Sequence, residues 1–251
     1  MPMWLQAGGW GLLSGSALVL GVTIAYLVDL PQRVVAAVMA FGSGVLISAL
    51  AFDLTEEAAD TGGFLPTTAG FVAGAVAYLA ANLVLARRGA RHRKRSGDQQ
   101  PSEQESVGSG AAIAIGALLD GIPESVVMGL GLLGGGPVSS AVVAAVFISN
   151  IPEGLSSAAG MRRAGRPAAY VFGVWGGIAL ASGAAAALGY ALLGSASAQT
   201  VAVITAVAAG AILTMIADTM IPEAFERTAV LTGLITSLGF LTAFTISRSG
   251  A

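Results

Sequence analysis

Five acidic residues stand inside long apolar segments or at their ends: Asp120, Glu124, Glu153, Asp218 and Glu223. A charged side chain at the centre of a membrane helix costs roughly 2.5 to 3.5 kcal/mol. Asp120, Glu124 and Glu153 together would cost about 8 kcal/mol if they were ionised and unpaired, as much as the whole stability of an ordinary domain. Their segments contain no Lys or Arg, so we expect no basic residue at their depth. These carboxylates must then be protonated, hydrated by a channel or bound to a cation.

The spacing of the acidic residues places oxygen atoms on two neighbouring helices. Asp120 and Glu124 are four residues apart, so they share one face of a helix. Glu153 shares a face in the same way with Ser149 and Asn150. Carboxylate, amide and hydroxyl oxygens are ligands of hard divalent cations. The pattern predicts a cation site between two helices, and the plain alternative is a set of protonated packing residues that bond to each other.

A proline stands directly before each of the three glutamates. Proline has no backbone N–H, so it releases a carbonyl group about one helical turn earlier in the chain. Broken backbone of this kind is tolerated at membrane depth where it lines a cavity or meets a polar group. We therefore expect free carbonyl oxygens beside the carboxylates. The three matching segments are Asp120-Gly-Ile-Pro-Glu124, Asn150-Ile-Pro-Glu153 and Met220-Ile-Pro-Glu223.

Helices of membrane-spanning length are predicted to hold these residues. The chain is 55% hydrophobic and only 10% charged, whereas a soluble domain is roughly 25% charged. Apolar stretches of about 17 to 25 residues are long enough to cross a hydrocarbon core of about 30 Å. We predict an all-α, polytopic membrane protein with about eight helices in one transporter domain, residues 1–251. The predicted helices are 9–28, 32–53, 64–87, 110–134, 138–160, 168–194, 199–222 and 229–247.

One long polar break, residues 88–109, separates the third and fourth predicted helices. It is basic and polar, and its composition predicts a disordered loop. Cytoplasmic loops retain an excess of Lys and Arg, and with both termini outside only Arg248 of the twelve falls on the outer face. We therefore predict a multi-pass cell-membrane protein with the loop in the cytoplasm. The cytoplasmic set is Arg33, Arg87, Arg88, Arg91, Arg93, Lys94, Arg95, Arg162, Arg163, Arg166 and Arg227.

These residues resemble the ZIP (ZRT/IRT-like) family of divalent metal transporters. The likeness covers essentially the whole chain, through the number of helices, the loop between the third and fourth, and the paired motifs DGIPES and SNIPEG. The resemblance implies that the fourth and fifth helices lie between two three-helix bundles that are inverted repeats of each other. It also implies alternating access with a site near the midplane and, for many members, a homodimer.

The resemblance also assigns the metal ligands. The family's glutamates map onto Glu124 and Glu153, and the polar positions of its fifth helix onto Ser149 and Asn150. The segment from Asp218 to Glu223 resembles the family's element on the seventh helix. These seven positions make up the predicted metal path: Asp120, Glu124, Ser149, Asn150, Glu153, Asp218 and Glu223.

Two features depart from the family pattern. Asp120 and Gly121 stand where the family has histidine and asparagine, and the one histidine of the chain, His92, lies in the basic loop, where we expect a solvated side chain. The sixth predicted helix, 168–194, carries no carboxylate, which favours one metal site over two. An all-oxygen site favours Mn²⁺ or Fe²⁺, although the affinity order of divalent ions favours Zn²⁺ over Mn²⁺ at most sites.

The sequence therefore predicts a transporter whose substrate is a divalent transition-metal ion such as Zn²⁺, Mn²⁺ or Fe²⁺. One alternative is a proton-coupled carrier of a non-metal solute that uses the same carboxylates as a proton relay. Another is a membrane protein that binds metal without transporting it. An enzyme is not expected, because the chain has no HExxH motif, no histidine in any predicted helix and no evident Ser/Lys or Ser/His pair. The expected partners are the lipid bilayer and the metal ion, not nucleic acid.

Overall fold

The computed structural model describes residues 1–95, 99–102, 104–133 and 140–249, with only the backbone at 140 and 141. These residues form helices and connecting turns, and none of them is in a β-strand. The prediction of an all-α chain is confirmed for this part of the protein. The ten α-helices are α1 (Met3–Leu27), α2 (Gln32–Ala49), α3 (Glu56–Gly62), α4 (Phe64–Leu85), α5 (Ser109–Leu130), α6 (Ser140–Arg163), α7 (Ala168–Leu193), α8 (Ala198–Met215), α9 (Ile221–Thr228) and α10 (Thr232–Ser249).

Seven helical runs in the described residues are long and apolar enough to cross a membrane, against the predicted number of about eight. The difference lies in the last run, Ala198–Ser249, which has 52 residues. A straight helix of that length would measure about 78 Å, far more than a hydrocarbon core. The run is interrupted at Ala229, whose φ is 43°. Its two long halves, α8 and α10, pack against different helices, α4 and α2 respectively.

Two short π-helical segments and one kinked turn extend the α-helices. The π-helical segments are Leu50–Thr55 and Ile216–Met220, and the kinked turn is Ala86–Ala90, in which Gly89 has a non-helical φ of 96°. Sequence periodicity did not predict them. The segment Ile216–Met220 ends two residues before Pro222, which has no N–H to offer the carbonyl of Asp218 in a regular helix. The two π-helical segments contain Asp53 and Asp218, respectively. Widened helical turns therefore carry two of the acidic residues in the apolar runs.

Helix α6 is the most buried of the seven runs. Within its apolar window 72% of the residues are buried, whereas only 17% are buried in the run Phe64–Ala90 that contains α4. Helices α1 and α2 both pack along α6, and α5 packs mainly against α7 and α8. The two helices that carry the Pro-Glu motifs are therefore held from several sides by the remaining spans.

Glycines allow the helix backbones to touch where spans cross, as the abundance of small residues predicts. A Cβ atom added at Gly74 of α4 would lie 1.9 Å from the carbonyl oxygen of Val207 in α8. The α2–α10 crossing has the same character, because a Cβ atom at Gly44 would lie 1.9 Å from the carbonyl oxygen of Thr236. Neither crossing has room for a side chain.

We predict that Gly74→Ala lowers the free energy of unfolding by about 1–3 kcal/mol or more, because a packed interface must open to admit the methyl group. Gly176→Ala is the matched control, since a Cβ atom there would have no neighbour within 4 Å. Thermal unfolding of the two variants in the same detergent measures the effect. Equal melting temperatures in Gly74→Ala and the control would contradict the packing described for this crossing.

Candidate functional site

The three carboxylates of α5 and α6 are buried in one region of the structure. Asp120 is 0% exposed, and Glu124 and Glu153 are each 3% exposed. The ammonium nitrogen of Lys94 joins two of them, at 3.3 Å from Asp120 Oδ2 and 3.0 Å from Glu153 Oε2. Glu124 lies within electrostatic range of Asp120, Glu153 and Lys94. The residues predicted to share a site from their helical spacing are therefore close together.

The prediction that no basic residue lies at this depth is wrong. Arg93 and Lys94 are 1% and 3% exposed, although both belong to the segment expected to be a solvated loop. The guanidinium group of Arg93 forms a bidentate pair with Asp120, with Nη2 at 2.8 Å from Oδ1 and Nε at 2.9 Å from Oδ2. Arg93 and Lys94 lie outside the apolar segments that contain the carboxylates, and the fold brings them into contact with Asp120 and Glu153.

Helix α4 supplies two further polar groups that were not predicted. The hydroxyl group of Tyr78 donates to Asp120 Oδ1 and accepts from Arg93 Nη2 at 2.8 Å. The amide oxygen of Asn82 accepts from Arg93 Nη1 at 2.8 Å. Tyr78 and Asn82 are four residues apart in an otherwise apolar helix, so they share a face, and that spacing is the signal by which they can be found in the sequence.

Glu124 has a buried carboxylate oxygen, Oε1, that makes no hydrogen bond within the described part of the chain. Glu124 lines a small cavity of about 10 Å³ together with Ser14, Met128 and Asn150, which is room for about one water molecule. The amide group of Asn150 donates to the carbonyl oxygen of Ser14 at 2.9 Å. The other predicted neutral ligand, Ser149, donates to the carbonyl oxygen of Val146 in its own helix.

The two acidic residues predicted for the inner end lie outside this cluster. Asp218 is exposed, and Asn82 Nδ2 lies 3.4 Å from its Oδ2. Glu223 is buried, at 1% exposed, and its Oε2 lies 3.5 Å from Arg95 Nη1. Arg95 Nη1 also lies 2.6 Å from Glu226 Oε2, so Arg95 and the two glutamates of α9 form a second group of ion pairs. Sequence reasoning did not assign Glu226 to it.

A serine links the two groups of ion pairs. The hydroxyl group of Ser156, on α6, lies within hydrogen-bonding distance of the Lys94 carbonyl oxygen and, at 3.1 Å, of Glu223 Oε1. It can donate to either oxygen. The consecutive residues Arg93, Lys94 and Arg95 therefore contact Asp120, Glu153 and Glu223 on three different helices. His92 is half-buried beside them, and burial, with the charges of Arg95 and Arg91, lowers the pKa of its imidazole.

The arrangement neutralises negative charge inside the protein. Asp120, Glu124 and Glu153 face two cationic groups, those of Arg93 and Lys94. In the described residues, no three His, Asp or Glu side chains gather around one point as metal ligands do. The cationic groups of Arg93 and Lys94 stand at Asp120 and Glu153. The atoms available to bind a cation are carboxylate oxygens, which bind positively charged groups of any kind.

The chain matches no model of a known protein family and no curated protein. The resemblance to ZIP transporters therefore rests on the motifs of α5 and α6 and on the pattern of predicted helices. The described residues form helices long and apolar enough to span a membrane and a buried cluster of carboxylates that is paired with positive charge.

Proposed function

We propose that the protein is a membrane transporter that moves a divalent transition-metal cation such as Zn²⁺, Mn²⁺ or Fe²⁺ by alternating access. The observation that carries this proposal is the position of one compact cationic group, Lys94 Nζ, between Asp120 and Glu153 at 3.3 and 3.0 Å. Buried carboxylates without a positive partner are costly. The same oxygens stabilise a passing cation whenever the ammonium group is withdrawn from them.

Three carboxylates and two neutral groups make up the proposed transport site. Asp120, Glu124 and Glu153 supply the negative charge, and Asn150 and Ser149 supply neutral oxygens. Three carboxylates exceed the charge of a divalent ion by one, and either the guanidinium group of Arg93, which pairs with Asp120, or a proton balances the difference. Glu124 suits that proton, because its Oε1 has no hydrogen-bond partner in the described residues. Asp218 and Glu223 lie on the proposed inner part of the path.

The packing supports an inverted repeat as the basis of alternating access. The proposed repeat pairs α1 with α7, α2 with α8 and α4 with α10, and it pairs the two central helices α5 and α6 with each other. The contact between α1 and α7 then maps onto itself, and that between α2 and α10 maps onto α8 and α4. The contacts of α6 with α1, α2 and α10 map onto those of α5 with α7, α8 and α4. Two symmetric halves around α5 and α6 are what a rocking carrier needs.

The proposal is tested by uptake into liposomes that contain the purified protein. We expect uptake of Zn²⁺, Mn²⁺ or Fe²⁺ above that of protein-free liposomes, and competition among the ions that are carried. The strength of competition identifies the preferred ion, for which the oxygen donors favour Mn²⁺ and Fe²⁺ and the general affinity order favours Zn²⁺ over Mn²⁺. Uptake of none of these ions would contradict the proposal.

A proton-coupled carrier is the second candidate, and the surroundings of Glu124 favour it. An unpartnered carboxylate oxygen beside a cavity the size of one water molecule is a suitable station for a proton. This candidate requires no affinity for metal. Calorimetric titration with Cd²⁺ separates the two, because a transport site for metal binds the ion and a proton relay does not. Binding without flux would instead identify a metal-binding protein that does not transport.

The distribution of charge supports a fixed orientation, with both termini outside and the loop of residues 88–109 in the cytoplasm. The chain contains no cysteine, so single cysteines can be labelled without background. Thr61 and Gln104 are both exposed. We expect an impermeant maleimide to label Thr61→Cys in intact cells and Gln104→Cys only after lysis. The reverse pattern would contradict the orientation.

A further inference from the structure

The segment of residues 91–95 lies in a groove that is lined by α5 and α6. Gly89, at the end of the third span, has a φ of +96°, a conformation that favours glycine. The chain turns there, and the segment then lies against α5 and α6. A Cβ atom at Gly116 of α5 would lie 2.5 Å from Arg93 Cδ, and one at Gly160 of α6 would lie 2.1 Å from the carbonyl oxygen of Arg95. Side chains larger than glycine would exclude the segment.

A buried glutamine fixes the backbone of this segment in the groove. Gln100 is 4% exposed. Its amide nitrogen lies 3.0 Å from the carbonyl oxygens of both Arg93 and Arg95, and 3.1 Å from that of Ser157 on α6. The segment is thus held by its main chain as well as by its charges. Such contacts distinguish a docked segment from a loop that merely passes over the surface.

The two inward-facing cations of the segment have different surroundings. The planar guanidinium group of Arg93 forms hydrogen bonds with Asp120, Tyr78 and Asn82. These three contacts hold Arg93 in a fixed position. Lys94 carries a compact point charge between the carboxylates of two helices, Asp120 and Glu153. A small ion that entered between those carboxylates would meet the ammonium group. Both positive charges cannot occupy the position together.

We propose that residues 91–95 form a built-in plug and that Lys94 is a tethered cation that competes with the transported cation for Asp120 and Glu153. This inference rests on the proposed function. In the plugged state the carboxylates are compensated by the protein itself, and in the loaded state by the ion, so neither state leaves them unpaired. A tethered group acts at an effective concentration in the millimolar range. The concentration of free metal must therefore be high enough for the ion to compete with Lys94 for these carboxylates.

The test compares metal uptake by liposomes that contain the wild-type protein, Lys94→Gln, Lys94→Arg and Arg88→Gln. Removing the competing charge in Lys94→Gln is expected to lower the half-saturating metal concentration at least about tenfold. Lys94→Arg keeps the charge and is expected to stay closer to the wild type. Arg88 is exposed and lies just outside the segment, so Arg88→Gln removes one charge without touching the plug and should behave as the wild type. Lys94→Met replaces Lys94→Gln if the latter fails to fold.

Hydrogen exchange of residues 91–95 and 99–102 provides a second readout. Adding Zn²⁺ or Mn²⁺ to the wild-type protein should increase exchange in these residues, because the ion displaces the plug. Unchanged or weaker metal affinity in Lys94→Gln, with metal uptake by the wild type intact, overturns the plug and leaves the transporter standing. Metal binding that appears only in Lys94→Gln supports the plug. Absence of metal binding and uptake in every variant overturns both proposals.

Discussion

Replacing Glu153 or Glu124 by alanine is expected to reduce divalent-metal uptake to the level of protein-free liposomes. The proposed site then loses one of its three carboxylates in a buried position, where removing a charged partner costs about 3–5 kcal/mol. Each 1.4 kcal/mol corresponds to about a tenfold change, so we expect a loss of about 100-fold or more. Uptake of Zn²⁺ and Mn²⁺ at equal amounts of reconstituted protein measures the effect.

The matched control for this experiment is Glu105→Ala. Glu105 is an exposed acidic residue whose side chain bonds only to Ser102 among the contacts described, so its removal changes the charge of the protein by the same amount outside the site. Glu105→Ala should transport as the wild type does. Normal uptake in both Glu124→Ala and Glu153→Ala, with the protein in the membrane, would remove these residues from the transport site and leave the proposal without its central support.

The largest effect on stability is expected when the ion pair between Arg93 and Asp120 is broken from one side. Both side chains are almost fully buried, at 1% and 0% exposure. Among the described residues, Arg93→Met leaves Asp120 with Lys94 as its only close cation, and Asp120→Asn leaves the guanidinium group without a carboxylate partner. Breaking a buried pair by removing one member costs about 3–5 kcal/mol. Each single variant should therefore unfold much more easily than the wild type.

A double-mutant cycle separates the pair from other effects of each substitution. In the variant that carries both Arg93→Met and Asp120→Asn, neither charge is left unpaired by the loss of the other. Its destabilisation should be smaller than the sum of the two single effects. Unfolding in one detergent at a fixed pH measures all four proteins. Additive effects would show that the two side chains do not stabilise each other, contrary to their bidentate contact.

Much of the helical frame follows from apolar length alone. The predicted helix 168–194 agrees within a residue with α7, Ala168–Leu193. The i, i+4 spacing places Asp120 and Glu124 on one face of α5, since helical geometry fixes which side chains share a face. These features depend on local sequence, which is why they can be predicted without the structure.

The counter-ions of the site depend on the fold and were not predictable in the same way. Arg93 and Lys94 stand in a run of basic residues whose composition is typical of a solvated loop. Their burial requires the turn at Gly89 together with the open positions at Gly116 and Gly160, which lie far apart in sequence. A run of basic residues indicates on which side of the membrane it lies, but not which of its side chains become buried in the protein.

The helical interruptions also escaped prediction. Ala229 breaks the last helical run with a φ of 43°, and no glycine or proline at that position signals the break. The π-helical turn at Ile216–Met220 follows from Pro222 only in part, because Pro123 and Pro152 lie within continuous α-helices. Neighbouring helices decide how a released carbonyl is accommodated, and that information is not local.

The proposed transport requires that the carboxylates of α5 and α6 exchange the charge of Lys94 for that of a metal ion. The most direct measurement is the anomalous scattering of Cd²⁺ in crystals of the wild-type protein. We predict one strong peak between Asp120, Glu124 and Glu153, with Lys94 displaced from Glu153. Crystals exposed to Cd²⁺ that keep Lys94 paired with Asp120 and Glu153, with no Cd²⁺ at these carboxylates, would contradict it.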